Sequence, residues 1–298
     1  MAKVWQNGIV TLLTNGTQDA NALSVAVSGS DVYVVGWESN GTRGVPKLWK
    51  NGVATALTDG THDAYAYSVA VSGNDVYVAG QESNGTYNVA KLWKNGVATP
   101  LTDGTGHAGA SSVAVSASDV YVAGVVPGVI GAVLWKNGVA IPLTNGDRYS
   151  QAEAVVVSGS DVYVAGEADS EGWMLLTVWK NGVPTYFKDG SQMWLGPSLT
   201  VAGSDVYVGA VQRLGLQTLK PLVWKNGVVT TLVSGSGLLP SESVALPSVA
   251  VSGSDVYVSG SAHTGANSVA MVWKNGVATP LTDGTRNAAA NAVVVNAH

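Results

Sequence analysis

A sevenfold internal repeat constrains what this chain can fold into more than any other feature of its sequence. The phrase Trp-Lys-Asn-Gly recurs six times, and a variant, Trp-Gln-Asn-Gly, precedes these copies near the N-terminus. Successive repeat tryptophans lie 42 to 49 residues apart. A period of this length is typical of solenoids, propellers and other repeat arrays. The repeat tryptophans are Trp5, Trp49, Trp93, Trp135, Trp179, Trp224 and Trp273.

Each repeat unit contains four short segments with strand character. Strand A reads Ser-Val-Ala-Val, strand B Asp-Val-Tyr-Val-Ala-Gly, strand C Lys-Leu-Trp and strand D Val-Ala-Thr-Pro-Leu, with small variations among units. Valine, tyrosine, threonine and tryptophan favour strands. A short Ser-Gly-Ser turn joins A to B, and Asn-Gly, the preferred pair for a type I′ hairpin, joins C to D. The pattern predicts four antiparallel strands per unit, as in a propeller blade.

The predicted fold is an all-β propeller of four-stranded antiparallel blades, with residues 1–298 forming a single domain. Strand B is apolar or amphipathic on both faces, which favours blades stacked between two neighbours with the repeat tryptophans wedged between them. Strand B occurs six times, whereas strands A, C and D occur seven times. We expect seven blades, one of them a composite and incomplete blade built from residues 1–16 and 287–298. The alternative is six blades with one C–D pair left over.

A charge pattern within the repeats supports the pairing of strand B with strand C. Strand B begins with aspartate and strand C ends with lysine, so antiparallel pairing would bring the carboxylate and ammonium groups together. The first unit has no preceding strand B, and only there is the lysine replaced, by Gln6. The expected pairs are Asp31 with Lys50, Asp75 with Lys94, Asp119 with Lys136, Asp161 with Lys180, Asp205 with Lys225 and Asp255 with Lys274.

From Trp-Lys-Asn-Gly-Val through Asp-Val-Tyr-Val-Ala-Gly, the units resemble bacterial β-propellers of a Trp-Lys-Asn-Gly repeat type. The resemblance covers nearly the whole chain. The characteristic phrases of Trp-Asp repeats and of kelch repeats are not present. The resemblance implies a propeller fold, and it implies no defined activity.

Composition and charge limit the classes of partner. Apolar residues make up 46% of the chain and charged residues 12%, so a large core is expected. The net charge of −5 provides no basic field for nucleic acid, and the apolar runs are too short for a membrane helix. There is no cysteine, and the four histidines share no metal-ligand spacing. We predict no nucleic-acid or membrane partner, no cofactor and no metal. Localisation stays open between an extracellular bacterial protein without its leader and a cytosolic protein.

The connections between strands divide into two faces. The A–B and C–D turns lie on one face and are nearly identical in every unit, so we call it the repeated face. The B–C loops and D–A crossings lie on the opposite face, which we call the variable face because it carries almost all differences between units. Binding residues are commonly found on loops that a rigid scaffold positions. The variable face is therefore the predicted binding face.

Aromatic and arginine side chains on the variable face are the candidate ligand-binding residues. Aromatic rings stack on sugars or anchor protein partners, and guanidinium groups bind carboxylates through paired donors. The competing interpretation is a structural role at blade edges and loop ends. The candidates are Trp37, Arg43, Tyr65, Tyr67, Tyr87, Arg148, Tyr149, Trp173, Trp194 and Arg213.

Signals for catalysis or for a metal are weak. A pair of carboxylates at a defined separation would suit glycoside hydrolysis, but no pair stands out from the repeat pattern. The segment Asp-Gly-Thr-His-Asp at 59–63 alternates oxygen ligands without the ligand set of a calcium-binding loop, and turn geometry explains it without a metal. The acidic residues considered on the variable face are Glu38, Glu82, Glu167, Asp169 and Glu171.

We predict a non-enzymatic propeller scaffold, with no catalytic residues, that binds a glycan or a protein through variable-face loops. The first alternative is a purely structural repeat scaffold, natural or engineered, that has no ligand. A glycoside hydrolase at the channel mouth is the third interpretation. A monomer is expected, with dimerisation through an unpaired blade edge as the alternative.

Overall fold

The computed structural model describes residues 1–128, 131–145, 149–187, 194–213, 218–231, 239–240, 247–263 and 267–295. All regular elements within these residues are strands, and none of the described segments forms an apolar helix long enough to cross a membrane. By its internal contacts the chain divides into two compact units, Met1–Val155 and Val156–His298.

The first unit contains a two-stranded hairpin, which we call the N-terminal hairpin, followed by three four-stranded antiparallel sheets, blades 1 to 3. The N-terminal hairpin is β1 (Lys3–Gln6) and β2 (Ile9–Leu12); blade 1 is β3 (Ala20–Ser28), β4 (Asp31–Ser39), β5 (Gly44–Lys50) and β6 (Val53–Ala56); blade 2 is β7 (Ala64–Ser72), β8 (Asp75–Ser83), β9 (Asn88–Lys94) and β10 (Val97–Pro100); blade 3 is β11 (Gly109–Ser116), β12 (Asp119–Val126), β13 (Gly131–Lys136) and β14 (Val139–Pro142).

Blades 4 to 6 repeat the same four-stranded arrangement, and the boundary between the two units falls inside the first strand of blade 4. Blade 4 is β15 (Gln151–Ser158), β16 (Asp161–Ser170), β17 (Trp173–Lys180) and β18 (Val183–Phe187); blade 5 is β19 (Trp194–Ala202), β20 (Asp205–Arg213), β21 (Thr218–Lys225) and β22 (Val228–Thr231), with β23 (Leu239–Pro240) pairing with β21; blade 6 is β24 (Ser248–Ser252), β25 (Asp255–His263), β26 (Ser268–Lys274) and β27 (Val277–Pro280).

The four-stranded antiparallel blade predicted from the repeat is confirmed. In each of the six sheets the strands pair in chain order, so the four strand types lie side by side as A, B, C and D. The Asn-Gly turn between C and D takes positive φ at both positions, for example 49° at Asn51 and 83° at Gly52. These are the backbone angles that make Asn-Gly the preferred pair for a tight hairpin.

Neighbouring blades within a unit pack through strand A of the later blade. In the first unit β7 contacts β3, β4 and β5, and β11 contacts β7, β8 and β9; in the second unit β19 contacts β16 and β17, and β24 contacts β19 and β20. A repeated hydrogen bond accompanies this packing. The N–H of Val69 donates to Ser24 Oγ at 3.2 Å, and the N–H of Val113 donates to Ser68 Oγ at 3.1 Å.

The repeat tryptophans of the six blades lie in the core, with only 0 to 3% of each residue exposed. Trp135 of blade 3, for example, packs in one apolar cluster with Tyr77 and Ala79 of blade 2. Burying an indole contributes a few kcal/mol at roughly 25 cal/mol per Å². Trp5 of the N-terminal hairpin differs, because it is only partly buried.

The expected count of seven blades is wrong, and the six-blade alternative agrees with the described residues. The first C–D pair remains the two-stranded N-terminal hairpin instead of joining a composite blade. The second segment expected in the composite blade is 287–298. Residues 287–295 form no strand, and residues 296–298 lie outside the described part of the chain. That residues 1–298 form a single domain stays a prediction.

The missing strand B gives a physical reason for this difference. In every four-stranded blade, strand B forms hydrogen-bonded ladders with both A and C, so it is the element that connects them. The A-like C-terminal segment packs on blade 6 with the same hydrogen bond that strand A of a later blade forms with the blade before it. There the N–H of Ala290 donates to the carbonyl of Gly260 at 3.1 Å, and the N–H of Val293 donates to Ser248 Oγ at 3.3 Å.

Candidate functional site

The polar residues of the repeated face satisfy one another. In blade 1, Lys50 Nζ lies 2.7 Å from Asp31 Oδ2, and Asn51 Nδ2 donates to Asp31 Oδ1 at 2.8 Å. The ammonium group also lies 5.2 Å from the centre of the Tyr33 ring, a cation–π distance. The hydrogen bonds from Lys50 and Asn51 lower the pKa of Asp31, and the bond to Asp31 raises the pKa of Lys50.

All six predicted Asp–Lys pairs are confirmed, with N–O distances of 2.7 to 2.8 Å. Each carboxylate therefore already has its cation and its amide donor. The charged residues that begin strand B and end strand C on the repeated face thus have a structural explanation.

Three of the candidate aromatic residues come together at the variable-face ends of blades 1 and 2. The ring centroids of Trp37 and Tyr65 lie 5.9 Å apart in an edge-to-face arrangement at 84°. Tyr65 and Tyr67 are stacked, with centroids 6.3 Å apart and planes at 12°. All three residues are partly buried. We call Trp37, Tyr65 and Tyr67 the aromatic cluster.

A β-bulge in strand A helps to form the aromatic cluster. The register between β7 and β8 passes from Ala66–Gly80 to Ser68–Ala79, which leaves Tyr67 without a partner in the ladder. Bulges of this kind re-aim side chains and are common next to functional sites. Gly80 permits the bulge, because a Cβ at this position would overlap the carbonyl oxygen of Tyr65.

Burial gives Tyr67 an unusual titration. Removal of the phenol from water, together with the neighbouring Tyr65, raises the pKa of Tyr67 to about 12, although a hydrogen bond with Gln81 acts in the opposite direction. Desolvation disfavours the charged form of any phenol. Tyr67 is therefore a neutral side chain at physiological pH, with a ring and a hydroxyl group to offer a ligand.

Arg43 and Tyr87, two further candidates, lie on the B–C loops of blades 1 and 2, beside the D–A crossings. Arg43 Nη1 lies 3.4 Å from Asp63 Oδ2, with about half of each side chain exposed. The Tyr87 ring meets the His107 ring edge to face at 5.2 Å. Asp63 and His107 also accept hydrogen bonds from the first N–H groups of the neighbouring C strands, at 3.2 Å in both cases. The crossings therefore hold the B–C loops in place.

The segment at 59–63 is explained by turn geometry. Asp59 Oδ1 accepts hydrogen bonds from the N–H and the hydroxyl group of Thr61, at 2.9 and 2.7 Å. These bonds lower the pKa of Asp59. Asp103 with Thr105 and Asp283 with Thr285 form the same turn. No group of three or more potential metal ligands is found within the described part of the chain.

A pocket of about 460 Å³ lies on the variable side of blade 2, next to the crossing from blade 1. Its wall includes an ion pair in which Lys91 Nζ lies 3.2 Å from Glu82 Oε2, with 19% and 23% of these side chains exposed. Glu38 and Lys47 form the corresponding pair in blade 1 at 3.9 Å. The pocket is lined by Leu57, Thr58, Asp59, Thr61, His62, Glu82, Ser83, Asn84, Val89, Lys91 and Ala98.

Thr58 lines this pocket, and its hydroxyl oxygen is buried. At the corresponding positions, Thr14 Oγ1 accepts a hydrogen bond from the N–H of Ala2 at 3.1 Å, and Thr144 Oγ1 accepts one from Ala132 at 3.2 Å. The residue across from Thr58 is Pro46, which has no N–H. Thr58 Oγ1 is buried without a hydrogen-bond partner among the described residues, and so is Thr102 Oγ1 at the same repeat position, where Ala90 replaces Pro46.

The other candidates do not join the aromatic cluster within the described contacts. Tyr149 and Trp173 are 69% and 48% exposed at the variable-face ends of their blades. Trp194 begins β19 and Arg213 ends β20, but their side chains lie outside the described part of the structure. Arg148 also lies outside the described residues. Among the acidic residues, Asp169 Oδ1 accepts a hydrogen bond from the Gly172 N–H at 3.0 Å.

The sequence alone does not indicate the pocket on the variable side of blade 2. Glu82 is among the acidic residues named from the sequence, and its pairing with Lys91 is a finding of the structure. A signal was present, because lysine precedes Leu-Trp only at positions 47 and 91, in the two blades where glutamate follows strand B by the same spacing. Gln81, the partner of Tyr67, carried no comparable signal.

Comparison with known proteins supports the fold. No protein-family model and no curated protein sequence matches this chain. Among solved structures, the chain is similar to a puromycin-hydrolysing peptidase of Mycobacterium tuberculosis, with 15% identity and a TM-score of 0.59 over 94% of this chain and 49% of that one. The chain therefore spans about half the length of this peptidase.

Two similar structures are matched over most of their own length. One is the β-propeller domain of the Trilobed protease from Pyrococcus furiosus, described as having an open velcro topology, with 10% identity and a TM-score of 0.53 over 89% of this chain and 86% of that one. The other is a putative TolB from Agrobacterium tumefaciens, with 11% identity and a TM-score of 0.52 over 78% and 87%. At these identities the similarity shows the fold alone: the chain is a β-propeller of four-stranded antiparallel blades.

Proposed function

We propose that this propeller is a non-enzymatic scaffold that binds a glycan on the variable face of blades 1 and 2. The observation that carries the proposal is the aromatic cluster, in which Trp37 from blade 1 and Tyr65 and Tyr67 from blade 2 form one partly exposed group. Apolar faces of sugar rings pack on aromatic rings, and tyrosine and tryptophan provide such surfaces at low conformational cost.

The pocket on the variable side of blade 2 offers polar groups of the kind that a sugar binds. Glu82 and Lys91 place an acceptor and a donor 3.2 Å apart, which suits two adjacent hydroxyl groups. A volume of about 460 Å³ lies within the usual range for small-molecule sites.

The carboxylates of this region support binding better than hydrolysis. Glu38 and Glu82 each face a lysine, at 3.9 and 3.2 Å, and both belong to the repeat pattern. A glycosidase instead needs one protonated and one ionised carboxyl group on either side of the scissile bond. The hydrolase interpretation therefore receives no support from these two residues.

A glycan array followed by calorimetric titration tests the proposal. The probes are cello-, xylo-, manno- and chito-oligosaccharides of three to six residues, and the strongest binder is then titrated against variants. We expect Trp37→Ala and Tyr65→Ala each to weaken binding by about tenfold or more, which corresponds to about 1.4 kcal/mol. Tyr65→Phe keeps the ring and should retain most of the affinity.

Tyr186→Ala is the matched control, because Tyr186 is an exposed tyrosine on the outer strand of blade 4. Its affinity should equal that of the unchanged protein. Circular dichroism verifies that each variant is folded. An array without binders would contradict the glycan proposal, and a protein captured through Trp37 would then favour a protein ligand. An oligosaccharide whose affinity is unchanged by Trp37→Ala and Tyr65→Ala would place the site elsewhere.

A further inference from the structure

One strand of type C lacks the partner that the other six have. In blades 1 to 6, strand C pairs with B on one side and with D on the other. In the N-terminal hairpin, β1 pairs with β2 alone within the described residues. Trp5 of β1 is partly buried, whereas the corresponding tryptophans are 0 to 3% exposed. β1 therefore has the sequence of an interior strand C, but no strand B pairs with its second edge among the described residues.

The asparagine that follows strand C shows what normally lies along this edge. In blade 1 the N–H of Asn51 donates to the carbonyl of Val32 at 2.9 Å, and Asn51 Oδ1 accepts from the Val32 N–H at 2.9 Å. Asn51 Nδ2 also donates to Asp31 Oδ1 at 2.8 Å. The same three bonds recur in all six blades. One asparagine thus recognises the first two residues of strand B, Asp-Val.

Asn7 occupies this position in the N-terminal hairpin and is already in the same conformation. Its φ of 50° falls within the 49° to 51° of the six other asparagines, and the φ of Gly8, 83°, equals that of Gly52. Asn7 forms none of the three bonds within the described part of the chain. A polar group held in its binding geometry loses little conformational entropy when a partner arrives.

We propose that the free edge of β1 binds an extended polypeptide strand of the Asp-Val-Tyr-Val type, supplied by another chain. This occupant is inferred from the six blades, in each of which a strand B of this type pairs with strand C. Backbone hydrogen bonds to Lys3–Gln6 would provide affinity, and the two side-chain bonds of Asn7 would select aspartate followed by a residue with an N–H group. This proposal does not depend on the glycan site.

Gln6 should lower the affinity of the β1 edge for a strand that begins with aspartate, and its substitution tests the proposal. In the six blades the aspartate that begins strand B meets lysine at 2.7 to 2.8 Å. Here Gln6 stands in place of that lysine. Gln6→Lys should therefore strengthen binding of an aspartate-headed strand, by up to about fivefold for an exposed ion pair.

The experiment is fluorescence anisotropy with a labelled synthetic peptide, Ser-Gly-Ser-Asp-Val-Tyr-Val-Ala-Gly, added to the full chain. We expect saturable binding, and Asn7→Ala should weaken it by about tenfold because two side-chain hydrogen bonds are lost. Asn51→Ala makes the same change in a blade whose strand B is present, so it should leave the affinity unchanged. Hydrogen exchange should slow at residues 3–7 when the peptide binds.

Three results would overturn the proposal. The first is absence of binding by both the unchanged protein and Gln6→Lys. The second is equal binding of a scrambled peptide of the same composition. The third is affinity that does not respond to Asn7→Ala or to Gln6→Lys. A peptide with asparagine in place of aspartate completes the set, since Gln6→Lys should strengthen its binding less than that of the aspartate peptide.

Discussion

Asn51 Nδ2 lies 2.8 Å from Asp31 Oδ1, while Asn51 Oδ1 accepts the Val32 N–H at 2.9 Å. One side chain at the C–D turn thus holds the beginning of strand B. The arrangement recurs in all six blades, together with a lysine on the second carboxylate oxygen. The repeated face is held by polar groups that satisfy one another, and the variable face is left free to differ between blades.

The hydrogen bonds between this asparagine and strand B predict that the same substitution, asparagine to alanine, lowers the free energy of unfolding by different amounts at two positions. Asn95→Ala removes bonds to Asp75 and Val76, whereas Asn7→Ala removes neither kind. Both asparagines have φ near 50°, so the backbone strain on alanine is common to both variants. Asn95→Ala should lower the free energy of unfolding by about 1 kcal/mol more than Asn7→Ala does. This is the usual net value of one hydrogen bond, and we assign it to the bond with the Val76 N–H. Urea unfolding followed by tryptophan fluorescence measures the difference, and equal losses would contradict it.

The Asp–Lys pairs predict a defined loss of stability in acid. The hydrogen bond from Lys94, followed by that from Asn95, lowers the pKa of Asp75 below its usual 3.8. A carboxyl group with a lowered pKa in the folded state contributes stability that is present above pH 3.8 and is lost as the pH falls through the lower value. The pKa of Lys94 is raised above 10.5, so its contribution is lost as the pH rises through the raised value.

Lys94→Met tests this pH dependence. The difference in unfolding free energy between the unchanged protein and the variant should be constant near neutral pH and should shrink below about pH 4. Lys3→Met is the control, because Lys3 forms no ion pair among the described residues. A difference for Lys94→Met that persists at pH 2 would show that the ion pair is not its cause.

Gly80 should be essential for the aromatic cluster. A Cβ there would overlap the carbonyl oxygen of Tyr65, and backbone has little freedom to move away. We expect Gly80→Ala to destabilise the protein by about 1–3 kcal/mol, the usual cost of overpacking, and to weaken glycan binding. Gly106→Ala is the control, because nothing lies within 4 Å of a Cβ at Gly106. Thermal unfolding that is equally affected by both variants would contradict this account.

The blade could be predicted from the sequence, but whether the terminal segments complete a further blade could not. Strand spacing and the Asn-Gly turns determine local antiparallel pairing, which needs only neighbouring segments. A composite blade depends on segments far apart in the chain, and no pattern within a repeat reports whether they form a ladder. The A-like segment near Val293 keeps its bond to Ser248 Oγ without forming a strand.

The aromatic residues could be predicted individually, but their assembly could not. Trp37 and Tyr65 belong to different blades, and the arrangement of Tyr67 depends on a bulge whose position follows from pairing with β8. The glycine of strand B is the one sequence feature that reports this bulge. The ion pair of Glu82 with Lys91 likewise needed the register between β8 and β9, in which Gly80 faces Lys91.

Tyr67 should titrate separately from an ordinary tyrosine. Burial raises its pKa to about 12, so the folded state keeps this proton when the unfolded chain has lost it. The contribution of Tyr67 to stability is therefore full below pH 10 and is lost as the pH rises toward 12. In an ultraviolet titration of the folded protein, Tyr67→Phe should leave the absorbance change below pH 11 unaltered and reduce the change above it. A reduction confined to pH 9–11 would contradict the burial of this phenol.

Hydrogen exchange with the strongest oligosaccharide from the glycan array tests the central claim most directly, because it reports which face the ligand covers. The account predicts slower exchange in the variable-face segments 37–45, 57–67 and 81–91, with unchanged exchange in the repeated-face turns 28–31 and 51–53. Protection confined to the repeated-face turns, or no protection at a saturating concentration of the oligosaccharide, would contradict it.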